Sequence, residues 1–272
     1  MKFVAISLGI LASLSYIGSV DAKPTVEYCS YYISLQMTNL YQTGTTGSFI
    51  SRCSQDYFRK GISAGFINFS TARGDALEVI KTFQKSSNYA GEFDQYIDVL
   101  EKYANTGSGS TEGLDGYCNA WKKACENPDF FSAQSQVNYS WYSKRSKQYA
   151  DMFGLKYGIS RAVLYDTAVS NDVYTNGTCL GLVLAATNAQ FSRNTYGNSG
   201  STLKINGYDV DEMIWLARLL EMRLAMNDEW DVQNVNAFLD AIDQGEYDWY
   251  PSFNNFLGPG GKRYNLNCNA LM

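Results

Sequence analysis

Histidine is absent from the 272 residues. That single gap removes Ser-His triads, Cys-His dyads and histidine-ligated metals, because each needs an imidazole. The six cysteines contain no C-x-x-C pair, so a cysteine metal site lacks its usual ligand spacing. Chemistry must then come from carboxylates, Tyr, Lys or Arg, and no metal or cofactor is implied. Positive charge is also short. The chain has 22 Lys and Arg against 27 Asp and Glu, a net charge of −5, with a pI near 4.9. Nucleic acid calls for a basic surface and is a poor partner; a polycation is a better electrostatic match. Beyond the first 22 residues no apolar run reaches the roughly 20 residues of a membrane span, so no membrane partner is expected. No repeat and no long linker divides the chain.

What is present begins with a leader. Met1-Lys2 is followed by an apolar run from Phe3 to Ile17 and by Ser19-Val20-Asp21-Ala22. A charged start, a short apolar run and a Val-x-Ala site make residues 1–22 a secretory signal peptide, with 23–272 as one secreted, extracellular domain. All six cysteines (Cys29, Cys53, Cys118, Cys125, Cys179, Cys268) lie beyond the leader. An even count in an oxidising compartment suggests three disulfides, of unspecified pairing. Cys118 and Cys125 are seven residues apart, about 10.5 Å along a continuous helix. A bridge needs roughly 4.4–6.8 Å between Cα atoms, so either a helix starts after Cys118 or the two pair elsewhere. Sequons stand at Asn68, Asn138 and Asn176, and glycans are expected on Asn138 and Asn176 ahead of Asn68. The 21 Tyr, 14 Phe and 5 Trp suit sugar stacking, but also an ordinary aromatic core.

The mature part reads as mostly helical. Tyr32, Ile33, Leu35, Met37 and Leu40 mark a helix over 26–41. Asp75 reads as the cap of a helix through Leu77, Ile80 and Phe83. Phe93, Tyr96, Ile97, Leu100 and Tyr103 form an amphipathic stripe. Residues 105–113 read as a loop. A helix around Trp121 to Cys125 should stop near Pro128. One long helix should carry Tyr149, Met152, Phe153, Tyr157 and Leu164 and end near Asp166. Residues 192–207 suit a loop or hairpin. Further helices are expected over 213–226 and 235–242. Only Lys60 to Phe69 reads as strand.

The stretch Gly61-Ile-Ser-Ala-Gly-Phe-Ile-Asn-Phe-Ser-Thr-Ala-Arg-Gly-Asp75-Ala-Leu-Glu resembles the signature of the bacterial-type chitosanases, glycoside hydrolase family 46. Other pieces follow in family order: Trp121 to Gln134, Leu164-Tyr165-Asp166-Thr-Ala-Val, and Leu220-Glu221-Met-Arg223. The resemblance implies a mainly α (α+β) fold, lysozyme-like, with two helical lobes and a small sheet beside a central cleft. It also implies a substrate class, the glucosamine polymer chitosan, whose ammonium groups suit an acidic protein.

Inverting hydrolysis needs two carboxyl groups about 6.5–9.5 Å apart, one protonating the leaving oxygen and the other activating water. In the family the acid is a Glu at the end of the first mature helix; aligned here, it falls on Gln42. The family base is an Asp three residues ahead of the signature glycine; here that position is Phe58. Asp56 is the nearest carboxylate and the candidate base. The family's supporting ion network maps onto Asp166 and Arg223, with its second Arg falling on Asn236; Asp228 and Asp231 lie only near the second-lobe acidic positions. Asp75 matches a sugar contact, and it could equally be a helix cap. Glu27 is about 22 Å up the first helix from Gln42 by helical rise, too far to substitute, and Glu112 is the other spare carboxylate. Losing a general acid slows a reaction about 10²–10⁴-fold. Two functions therefore compete. One is a chitosanase-like protein that binds chitosan, a chitin-like wall polysaccharide or a secreted partner with little or no hydrolysis. The other is an active inverting chitosanase using Asp56 and an unidentified acid.

Overall fold

The computed structural model describes residues 26–46, 50–56, 61–171, 179–226 and 232–268; within these, the side chains of 26–28, 42, 43, 56 and 171 are not described. The leader at 1–22 and the sequon at Asn176 lie outside the described residues.

The first helix, α1 (Val26–Thr43), is no surface helix. Every residue from Ile33 to Leu40 is buried. Its polar positions must then be hydrogen-bonded internally, since an unpaired buried polar group is costly. They are. Gln36 Nε2 donates to the Asn267 carbonyl at 2.6 Å, Ser34 Oγ to the Tyr31 carbonyl at 2.6 Å, and Asn39 Nδ2 to the Thr45 carbonyl. α1 packs against α7 (Gly158–Asn171) and against the terminal hairpin of β6 (Ser252–Leu257) and β7 (Arg263–Asn267). The chain between α1 and the first sheet is pinned at Ile50. Its carbonyl accepts Trp121 Nε1 at 3.0 Å, Gln134 Nε2 at 3.1 Å and the Cys125 thiol at 3.1 Å.

That sheet is antiparallel, with order β1 (Cys53–Asp56), β2 (Gly61–Ala64), β3 (Phe69–Ser70). Asp56 pairs with Gly61 in the ladder. The expected strand character of 60–69 is thus present as two short strands around a turn. α2 (Asp75–Phe83), α3 (Ile97–Thr106), α4 (Tyr117–Ala124) and α5 (Pro128–Asn138) surround it. Their centre is aromatic: Trp121 lies 4.8 Å from Phe130 between ring centroids, and Phe93 stacks on Phe130 at 5.6 Å. Pro128 does stop α4, but it also opens α5, with Asn127 capping through the Asp129 amide. Its missing N–H would be an orphan there in any case. Asp75 is the first residue of α2, and the cap position belongs to Gly74.

A π turn over Tyr139–Ser143 leads from α5 into α6 (Lys144–Phe153). The single long helix expected across 149–166 is two. Gly154 takes the left-handed conformation (φ 68°) that caps α6 and turns the chain before α7. α8 (Leu180–Asn188) follows, then the hairpin β4 (Thr202–Ile205) and β5 (Tyr208–Asp211), then α9 (Glu212–Met226) and α10 (Val232–Asp243). The β6–β7 hairpin has no counterpart in the sequence reading. A register shift between Phe253 and Phe256 breaks the alternation that marks a strand, and Asn255 has φ 65°. The fold is mainly helical with small sheets, as the sequence leads one to expect.

The three expected disulfides become two. Cys29 bridges Cys268, tying α1 to the end of β7, and Cys53 bridges Cys118, tying β1 to α4. Cys125 and Cys179 are free. Cys118 does sit inside a helix and does pair elsewhere than with Cys125, whose thiol is engaged at Ile50. Asn138, expected to be glycosylated ahead of Asn68, is 1% exposed. Its amide donates to Tyr31 Oη at 3.3 Å and accepts from Tyr165 Oη at 2.9 Å. No room is left for a glycan on that nitrogen, which corrects the sequon reading.

Burial pushes the Cys125 thiol up to about 12, so it stays protonated, and poorly nucleophilic, at pH 8. Iodoacetamide at pH 8 should therefore label Cys125 only after unfolding. Non-reducing peptide mapping should return Cys29–Cys268 and Cys53–Cys118; a Cys125–Cys179 bridge would contradict the fold.

Candidate functional site

Four elements meet at one buried carboxylate. Asp166, on α7, is 1% exposed, and Arg223, on α9, is fully buried. Arg223 Nη1 lies 2.8 Å from Asp166 Oδ2 and donates to Thr167 Oγ1 at 3.1 Å. Thr38 of α1 donates its hydroxyl to Asp166 Oδ1 at 2.7 Å, and Asn234 of α10 donates its amide to Asp166 Oδ2 at 2.5 Å. A buried ion pair is tolerable only when the remaining lone pairs and protons are also satisfied. Thr38 and Asn234 do this for Asp166. The hydroxyl of Tyr41, which donates to the Leu257 carbonyl at 2.6 Å, is held well above the ordinary phenol range by burial and by the nearby charges of Asp166 and Asp240.

The Asp166–Arg223 pair expected from the sequence is therefore present. The third partner is not Asn236, which is exposed. Residues two apart on a helix point some 200° from each other, so Asn234 faces Asp166 and Asn236 faces away. Thr38 was missed as well, although a hydroxyl in the middle of an apolar helix face is a visible signal.

Gln42 lies on α1 four residues beyond Thr38, one turn further along the same side of the helix backbone. Its side chain is not described, and neither is that of Asp56, whose backbone ends β1. Phe58, Asp228 and Asp231 lie outside the described residues, and Glu27 has no described side chain. The Glu112 carbonyl accepts the Tyr103 hydroxyl at 2.7 Å, which ties down the loop after α3.

Asp75 forms a second buried network. It is 0% exposed. Oδ1 accepts the amides of Ser70 at 2.6 Å and Ala76 at 3.0 Å, and Oδ2 accepts the Tyr142 hydroxyl at 2.6 Å. Arg73 Nη2 stands 3.0 Å from the same Oδ2. With these four donors Asp75 joins the signature turn to α2 and to the π turn. Arg73 also donates to the Val169 carbonyl on α7 at 3.0 Å, three residues beyond Asp166. The two networks thus share α7.

A family model described as glycosyl hydrolase family 46 matches residues 54–234. The chain belongs to this family. It is 28% identical over 191 residues to a chitosanase of Bacillus subtilis (strain 168), covering 69% of this chain and 64% of that protein, which is less than two thirds of the relative's length. Among solved structures, the native chitosanase from Bacillus subtilis MY002 superposes with a TM-score of 0.76 at 24% identity, over 88% of this chain and 98% of that one. A family 46 chitosanase from Gynuella sunshinyii in complex with chitotetraose superposes with a TM-score of 0.75 at 24% identity, over 90% and 99% of the two chains. At that identity the structural likeness speaks for the fold. Within this family 46 member, the Asp166 network joins α1, α7, α9 and α10 directly behind the helix end that carries Gln42.

Removing one partner of a buried pair leaves an uncompensated charge. Arg223→Met should destabilise the protein by roughly 3–5 kcal/mol. Asn234→Ala should cost about 1–3 kcal/mol through the carboxylate oxygen it leaves short of a donor. Asn236→Ala should be near neutral. Urea unfolding measures all three; an Asn236→Ala loss larger than that of Asn234→Ala would refute the assignment.

Proposed function

We propose that the mature chain, residues 23–272, is a secreted two-lobed protein that binds chitosan or a chitin-like wall polysaccharide and has lost most or all glycosidase activity. The observation that carries this reading is the pair of residues at the reacting positions. Gln42 aligns with the acid and Phe58 with the base, and neither an amide nor a phenyl ring can transfer a proton at neutral pH. The neutral partners of Asp166 agree with it. Among the described residues, the network around this carboxylate offers one arginine, one hydroxyl and one amide. No second cation stands among the described residues of this network to support another carboxylate one turn beyond Thr38. The net charge of −5 suits a polymer of ammonium-bearing sugars, and relatives of this chain carry the name chitosanase. Two disulfides agree with an oxidising, extracytoplasmic location.

Reducing-sugar release from chitosan tests the loss of activity. Wild-type protein should release little or nothing, yet be retained on insoluble chitosan. Gln42→Glu alone should restore no full activity, because a base is still missing and Asn234 supplies no charge. Gln42→Glu with Phe58→Asp is the better rescue, and Tyr57 and Arg59 beside it limit how far it goes. Robust wild-type hydrolysis abolished by Asp56→Asn would overturn the reading and make Asp56 the base.

A further inference from the structure

α9 has two working faces. Arg223 leaves it toward Asp166. Ile214, Ala217, Arg218 and Glu221 leave it on the opposite side, because nine residues at about 100° each place Ile214 half a turn from Arg223. On that opposite side lies a cavity of about 360 Å³, within the size range of small-ligand sites. Its floor is Ile214, Ala217 and Ile242, and its walls carry Arg218, Glu221 and Tyr247.

The wall over this floor, the loop leading into β4, is built at some electrostatic expense. Two adjacent carboxylates, Asp211 at 5% and Glu212 at 0% exposure, are buried to shape it. Asp211 Oδ2 accepts the Ser199 amide at 2.9 Å, while Oδ1 accepts the amides of Met213 at 2.9 Å and Ile214 at 3.3 Å. Glu212 accepts the Ser201 hydroxyl at 2.6 Å and the backbone amides of Lys156 and Tyr157 at 3.0 and 3.1 Å. Gly197 passes so close to Asp211 that a Cβ there would lie 2.7 Å from its carboxyl carbon. Backbone amides that satisfy these buried carboxylates fix the path of the loop beside the cavity.

The rim has the chemistry that saccharides use. Tyr247, half-buried, is the aromatic residue that lines it. Tyr247 packs on Tyr157 with centroids 5.3 Å apart, and the Tyr157 hydroxyl donates to the Ser199 carbonyl of the same loop. Arg218 and Glu221 form a half-exposed pair at 2.5 Å, which presents planar donors and acceptors side by side. Asp211, Glu221 and Arg218 together carry one net negative charge. An apolar floor for a ring face, a half-buried aromatic, a paired guanidinium and carboxylate, and a negative balance fit a pyranose bearing an ammonium group.

We propose that this cavity is a second saccharide site, taking a glucosamine unit of a polymer on the side of α9 away from the Asp166 network. It rests on the reading that the chain binds an amino-sugar polymer, and it supplies a holding point that needs no catalytic carboxylate. The test titrates the mature protein with the glucosamine tetramer, followed by calorimetry and by backbone amide NMR. Amides of Gly197 to Ser199 and of Ile214 should shift. Tyr247→Ala and Glu221→Gln, both substitutions of residues that line the cavity, should each weaken that binding about tenfold, roughly 1.4 kcal/mol. The N-acetylated tetramer should bind more weakly, and an equal affinity would overturn the ammonium assignment. Shifts confined to the surroundings of Thr38 and Asp166, or an affinity unchanged in both variants, would remove the second site and leave the proposed function standing. An absence of binding anywhere would remove both.

Discussion

The contact on which the rest of the molecule depends is the buried pair Asp166–Arg223. Taking two ions out of water costs several kcal/mol each, and their mutual attraction offsets this only if every remaining lone pair is met. Asp166 cannot be met by α7 alone. It requires Arg223 from α9, Thr38 from α1 and Asn234 from α10, so four helices separated by up to two hundred residues must converge. The interior position of α1 follows from this, since Thr38 must be inside for its hydroxyl to reach the carboxylate. So does the double character of α9, with one side closing the ion pair and the other left to face solvent.

That dependence separates folding from catalysis. Thr38, Arg223 and Asn234 bring α1, α9 and α10 to Asp166, and the proposed loss of the acid at position 42 leaves all three of these contacts in place. The same logic holds for Asp75. Its four donors join the signature turn, α2, the π turn and, through Arg73, α7. The most recognisable stretch of the sequence is recognisable because of what it does for the fold, and such a stretch persists whether or not a bond is cut beside it.

Most of the helices, the short strands after Lys60, a loop or hairpin over 192–207 and the pair Asp166–Arg223 were legible in the sequence, because apolar periodicity and an ordered set of motifs carry them; α8 was not read. The break at Gly154 was not, since a left-handed cap inside a continuous apolar pattern looks like one helix. β6 and β7 were hidden by the bulge between Phe253 and Phe256. Asn234 was displaced to Asn236 because alignment by motif has no rotational sense, whereas two residues on a helix reverse the face. The free thiols of Cys125 and Cys179 defeat an argument from even counts: cysteine number constrains compartment, but geometry decides pairing. Burial of Asn138 inside a sequon makes the same point about motifs read without their surroundings.

In the proposed reading two faces of one helix carry two tasks, the ion pair on one side and the open pocket on the other, in a protein whose reacting positions align with Gln42 and Phe58. The central claim is that such a chain holds an amino-sugar polymer without cutting it. Incubating the mature protein with a glucosamine hexamer, and following bound ligand and chain length together by mass spectrometry, measures both halves at once. The account predicts an intact hexamer recovered from the complex after prolonged incubation. Dimers to tetramers accumulating catalytically, with the wild-type residues at positions 42 and 58, would contradict it.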